Sequence, residues 1–214
     1  MNTKSHPITR KHAGRVLASR EALAATVAPV TGDAADSMRE ATRAAEKRAA
    51  RLVRAARRSH GPVTRRRALL QQGLQAVGDA ISLYRDGGRF ESHEDAAWLA
   101  LALEDMRVRD DAWARMDPGH RQAHSRLWTD LTTLARPGYS APPAALLAFT
   151  AWQGGDGALA NVALDRALGD DPQYSMAQLL RDALDAGAPP SMARLPMTPE
   201  DVAAAYDTLE TSDA

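Results

Sequence analysis

The chain has 214 residues, 44% hydrophobic and only 5% aromatic, which is enough apolar content for one large domain or two small ones. It contains no cysteine, so disulfides, thiolate metal ligands and cysteine nucleophiles are excluded. Formal net charge is zero, yet residues 1–67 carry 16 basic and 5 acidic side chains, leaving the remainder correspondingly acidic. Much of the apolar content is alanine, β-branched residues are sparse and no alternating run of useful length occurs, all of which points to close-packed helices rather than strands. The basic residues are 24 Arg and 3 Lys, a bias expected of a GC-rich genome. Residues 1–14 lack the apolar stretch of a signal peptide, and the longest apolar run, 96–103, is too short to span a bilayer. The expectation is a cytoplasmic protein without a membrane partner.

In chain order, residues 1–14 read as a disordered polar tail. Ser19 caps a short helix over 20–27, which Pro29 ends. Thr31 or Asp33 opens a long helix reaching 58. At 100° per residue Met38, Ala41, Ala45, Ala49, Leu52 and Ala56 form its apolar face, and Arg43, Lys47, Arg51, Arg54 and Arg58 form the opposite one. After a turn at 59–62 a helix over 63–84 opens with Arg65, Arg66 and Arg67 and carries Leu70, Leu74, Val77 and Ile81 inward. Residues 15–86 thus form a basic helical region. Gly87 and Gly88 separate it from a second helical region, 87–210.

There, Ser92 and Asp95 make a capping box for a helix over 94–106, followed by a break and a short helix within 106–116. Asp117 and Pro118 start another helix bearing Leu127, Trp128, Leu131 and Leu134. From Ala144 the pattern becomes a helical hairpin. One helix ends at Gly154-Gly155, Asp156 caps the second, Gly169 signals its end, and Asp171-Pro172 cap and open a third. Thr198-Pro199 start a last helix through Ala203 and Leu209. The total is eight or nine helices and no strand: an all-α fold, a multi-helix bundle or short solenoid.

The hairpin at 144–186 resembles a tetratricopeptide unit. Counted back from Pro172, the small or apolar positions of that pattern fall on Leu147, Ala148, Ala160, Leu164 and Ala167, and the expected aromatic falls on Ala151, beside Trp152. No second copy follows at a period of about 34 residues. An ordinary helical hairpin with small residues at its crossing is the preferred reading.

Segments 16–32 (VLASREALAATVAPVTG), 95–113 (DAAWLALALEDMRVRDDAW), 141–168 and 171–190 together resemble an actinobacterial family of domains of unknown function, the DUF4192 type. The resemblance covers most of the chain from Arg15. It implies a longer parent protein with an additional amino-terminal region, of which this chain looks like the carboxyl-terminal portion. It brings no catalytic residues.

Several clusters invite a chemical reading. His120 and His124 have the four-residue spacing of two metal ligands, but Arg121 stands where a metalloprotease has Glu, so two solvated histidines are expected. Arg107, Arg109, Asp110 and Asp111 read either as a polar pocket whose arginines hold a carboxylate or phosphate, or as an ion-pair network between two helices; the network is preferred. Trp98, Trp113, Trp128 and Trp152 either line a groove or, as is commoner, sit in the core with their indole N–H groups bonded. The stripe from Arg43 to Arg58, with Arg65 to Arg67, is suited to phosphates, yet no aromatic residue interleaves it. No nucleotide-binding loop or nucleophile-elbow motif occurs.

The leading expectation is a non-catalytic protein-interaction module without a cofactor or metal, contacting its partner through Arg107, Arg109, Asp110, Trp113 and Trp152. The alternatives are nucleic-acid binding through residues 38–67 and a fragment whose active region lies elsewhere. Exposure of the Arg43–Arg58 face is the deciding observation. A covered face would mean charge pairing within the fold, and an open one an external acidic partner.

Overall fold

The computed structural model describes residues 19–59, 62–193 and 197–212, with side chains for all of these except 56–59, 62–68 and 209–212. The tail at 1–14, and the side chains of Arg58, Arg65, Arg66 and Arg67, lie outside the described set. Among the described residues there are ten α-helices, two short 3-10 turns and no strand, an all-α multi-helix bundle.

Local capping explains most of the boundaries. Ser19 accepts from the Ala22 N–H and starts α1 (Arg20–Thr26). α2 (Gly32–Ser59) follows, burying Met38, Ala41 and Ala45 as its periodicity requires, with Ala49 and Leu52 packed at the core edge. α3 (Pro62–Arg85) turns Leu70, Val77 and Ile81 inward. Ser92 and Asp95 make the reciprocal box that opens α4 (His93–Ala102): the Asp95 N–H donates to Ser92 Oγ at 3.1 Å, and that hydroxyl donates to Asp95 Oδ2 at 2.8 Å. The helix expected over 94–106 stops earlier. The N–H groups of Glu104 and Asp105 turn back to Leu101 and Ala102, and Asp105 then caps α5 (Met106–Ala114) through the Arg107 N–H at 2.9 Å. This sharp corner is what aims the charged residues of α5.

After a 3-10 turn at Pro118–His120, α6 (Arg121–Leu134) leads to the hairpin of α7 (Ala141–Gln153) and α8 (Gly157–Asp170). Every residue from Ala141 to Trp152 is buried, because α7 is enclosed by α6, α8 and α9 (Ser175–Asp185). Gly155 turns the chain at φ +76°, a conformation costly for any residue with a Cβ, and Asp156 caps α8 through the Leu159 N–H. Leu147, Ala148, Ala160, Leu164 and Ala167 are all fully or almost fully buried, so small residues let the two helices approach closely.

Two details differ from the sequence reading. α8 continues through Gly169 to Asp170, and α9 begins at Ser175 rather than after Asp171. Asp171 accepts from the Gln173 N–H and so caps a turn, not a helix. α10 (Pro199–Ser212) is opened by a second reciprocal box, in which the Asp201 N–H donates to Thr198 Oγ1 and the Thr198 N–H donates to Asp201 Oδ2.

α3 crosses the α4–α5 corner at Gly73, where an added Cβ would stand 2.8 Å from Val108 Cγ2 and 3.3 Å from Ala102 Cβ. Overpacking of this kind outweighs the gain in helix propensity, so Gly73→Leu is expected to destabilise the fold by about 2 kcal/mol, read as a lower denaturant midpoint.

Trp98, Trp128 and Trp152 are buried and Trp113 is half-buried, with Trp113 and Trp152 both edge-on to Phe149. The Trp152 indole donates to the Ala188 carbonyl at 3.1 Å. Those of Trp113 and Trp128, contrary to the expectation of bonded indoles, are buried without a protein acceptor.

Candidate functional site

The deciding face of α2 is open. Arg43, Lys47, Arg51 and Arg54 are exposed and form no ion pair with a described carboxylate. The cause is geometric: the alanine face of α2 lies against α3 and α4, which points the opposite face to solvent. Two other arginines of α2 are engaged. Arg39 pairs with Asp36, and Arg48 donates to Gln72 at 2.7 Å while its guanidinium lies 4.0 Å from the centre of the Trp98 ring. Arg48 and Trp98 stand at one wall of a groove of about 710 Å³ between α2, α3 and α4, with Phe90 and Leu83 among its apolar residues and Asp79, Glu91 and Asp95 among its polar ones.

The charged residues of α5 form a closed network. Arg109, nearly buried, donates through Nε and Nη2 to Asp110 Oδ1 at 2.8 and 2.6 Å, and its guanidinium faces the Tyr174 ring at 5.8 Å. Burial works against the Arg109 cation, but Tyr174 and Asp110 outweigh it and hold its pKa above the usual value. Asp110 also accepts from the Tyr206 hydroxyl of α10 at 2.7 Å. Burial, then that bond, push Tyr206 up to about 12, so at neutral pH it is a hydrogen-bond donor. Arg107 pairs with Asp207 at 3.0 Å, and Arg115 with Asp111 at 2.6 Å. Each of these arginines is therefore spoken for. Trp113 and Trp152 instead pack edge-on against Phe149, at ring-centre distances of 5.2 and 6.4 Å.

The model of a family described as a domain of unknown function, DUF4192, matches residues 3–191, most of the chain. The chain belongs to that family. No curated protein and no solved structure matches the chain. The stretch of this DUF4192 member that matches takes in α1 to α9 and the α5 arginines, while α10 lies beyond it.

The histidines of this DUF4192 member do not form a pair. His120 Nδ1 meets Asp117 Oδ2 at 2.6 Å, whereas His124 is buried, not solvated as expected, and its Nε2 accepts from the Asp117 N–H at 3.3 Å. Burial pushes His124 down to about 4, so the ring is neutral. No group of described residues is arranged to hold a metal ion, and no described helix is long and apolar enough to cross a membrane.

Sequence reasoning missed Glu104, at the α4–α5 corner. The residue is exposed, but desolvation of its carboxyl against the corner, then the nearby carboxylates of Asp170 and Asp171, push it up to about 7. An acid with a raised native pKa favours the fold only while protonated, and that stability is lost as pH rises from about 4.5 through 7. Glu104→Gln is therefore expected to raise the melting temperature at pH 8 and to leave it nearly unchanged at pH 5, checked by calorimetry at the two values. Nothing in the periodicity marks Glu104, because the charges that act on it arrive from 66 and 67 residues away.

Proposed function

We propose that the chain is a non-catalytic helical interaction module that docks an acidic protein on the exposed face of α2. The observation that carries this reading is the stripe of four cations, Arg43, Lys47, Arg51 and Arg54, open to solvent and in no ion pair with a described carboxylate. Such a face raises the local concentration of a negatively charged partner and speeds its encounter. A protein surface suits it better than nucleic acid. Asp36 and Glu40 continue the same face about two turns and one turn before Arg43, where they would repel a phosphate backbone, and no aromatic residue interleaves the stripe to stack on bases.

The test compares the full chain with a variant in which all four cations are changed to Gln. The expected result is an acidic protein recovered with the wild type and lost from the equally stable variant. Recovery of the same proteins with both would reject the α2 face. Retardation of a duplex at 50 mM salt that weakens steeply by 200 mM would instead favour the nucleic-acid reading.

A further inference from the structure

α10 is held differently from the rest of the bundle. It packs on α5 and on no other helix to a like extent, whereas α3 and α7 are each wedged among several neighbours. It lies outside the residues that the family model matches. Its reciprocal capping box at Thr198 and Asp201 completes its first turn from its own residues.

Its contacts with α5 follow a simple pattern. Glu200, in the first turn of α10, acts on Arg115 just past the end of α5. Asp207, near the other end, pairs with Arg107 near the start of α5. The two helices are therefore antiparallel, with acid on α10 laid against base on α5. Between these ties Tyr206 donates to Asp110 at 2.7 Å, and its ring lies 6.0 Å from the Arg107 guanidinium. Val202, 3% exposed, is the apolar anchor.

The burial is one-sided. The Arg107 side chain is 11% exposed and that of Asp207 67%. With α10 in place the arginine is covered, whereas the carboxylate that meets it sits at the wet rim, where an ion pair contributes little. A helix with one main packing partner, one buried aliphatic side chain among those described and a rim ion pair opens more readily than a helix enclosed on several sides.

We propose that α10 is an intramolecular strap over a docking face of α5, and that this face takes an acidic amphipathic helix of a partner protein in its place. The chemistry of the occupant is copied from α10: an aliphatic anchor, a phenol four residues later to donate to Asp110, and a carboxylate at the next position for Arg107. While the strap is docked its tether gives it an effective concentration in the millimolar range, so a partner helix competes only when the strap is loosened or the partner binds more tightly. This inference does not depend on the α2 face.

The test uses the full chain and a fluorescent peptide of residues 197–212 as the probe helix. Native-state hydrogen exchange should show the α10 amides opening well before those of α7. Val202→Asp, which removes the anchor, should keep the melting transition of the remaining helices and bind the peptide at least tenfold more tightly than the wild type does. Arg107→Glu on that background should abolish the gain, and a peptide carrying Asp207→Lys should restore binding to it. The proposal is overturned if α10 exchanges as slowly as α7, if Val202→Asp melts the whole domain, or if it frees the α10 amides without any gain in peptide binding.

Discussion

Replacing Asp170 with Ala is expected to lower the unfolding free energy by about 3 kcal/mol. Asp170 is the last residue of α8, and its carboxylate reaches back to the entry of α7. It accepts from the N–H groups of Gly138 and Ser140 at 2.8 Å and of Ala141 at 3.1 Å. These donors include the free amides of a helix amino terminus, which no intrahelical acceptor can satisfy. Ser140 and Ala141 are buried, so water cannot readily take over. An alanine would strand two buried donors at the foot of the central helix, and a carboxylate near that terminus also interacts favourably with the helix dipole. Asn, with a single neutral acceptor oxygen, should recover part of the loss. The Coulombic push on Glu104 modulates the result. At pH 8 Glu104 is ionised, and removing Asp170 relieves repulsion; at pH 5 Glu104 is protonated in the native state and there is little to relieve. The denaturant midpoint of Asp170→Ala should accordingly fall further below the wild type at pH 5 than at pH 8. Equal losses at the two pH values would disconnect Asp170 from Glu104.

Asp170 also marks where sequence reading stops. Features that depend on neighbours within one or two turns were legible: the caps at Ser19, Ser92, Asp156 and Thr198, the alanine face of α2, and the small residues at the α7–α8 crossing. Each follows from the 3.6-residue period or from unsatisfied amides at a helix end. What periodicity does not encode is which distant side chain answers a local charge. Asp110 finds its donor 96 residues away on α10, Tyr139 donates to Glu46 across 93 residues, and Asp165 joins Arg20 to Arg181. A charged residue that looks solvated on a helical wheel can therefore be a tertiary tie. The opposite also holds: the α2 cations, which had an acidic half of the chain available to neutralise them, face away from it. Proline punctuation was misleading at Pro172, because an aspartate before a proline serves a turn as well as a helix start.

His124 should dominate the acid side of the stability profile. The ring is 2% exposed on α6, and burial holds its pKa at about 4 against an ordinary value of 6.5. Between those limits the unfolded chain binds a proton that the folded chain refuses. Stability is therefore full above pH 6.5 and is lost as pH falls towards 4, by about 3 kcal/mol in all. Glu104 acts in the opposite sense over much of the same range, because its raised pKa makes the fold more stable as pH falls from 7 towards 4.5. The wild-type profile mixes the two, so the cleaner comparison is made in the Glu104→Gln background. There, stability should drop steadily from pH 6.5 to 4. His124→Gln should remove most of that slope, since its amide oxygen can accept from the Asp117 N–H as Nε2 does now but takes up no proton. It should be less stable than its parent at pH 7, where a fitted ring has been lost, and should draw level or pass it near pH 4.5. Chemical denaturation at intervals of half a pH unit resolves the crossing. A slope that survives the substitution would place the acid sensitivity on other groups and reject His124 as its source.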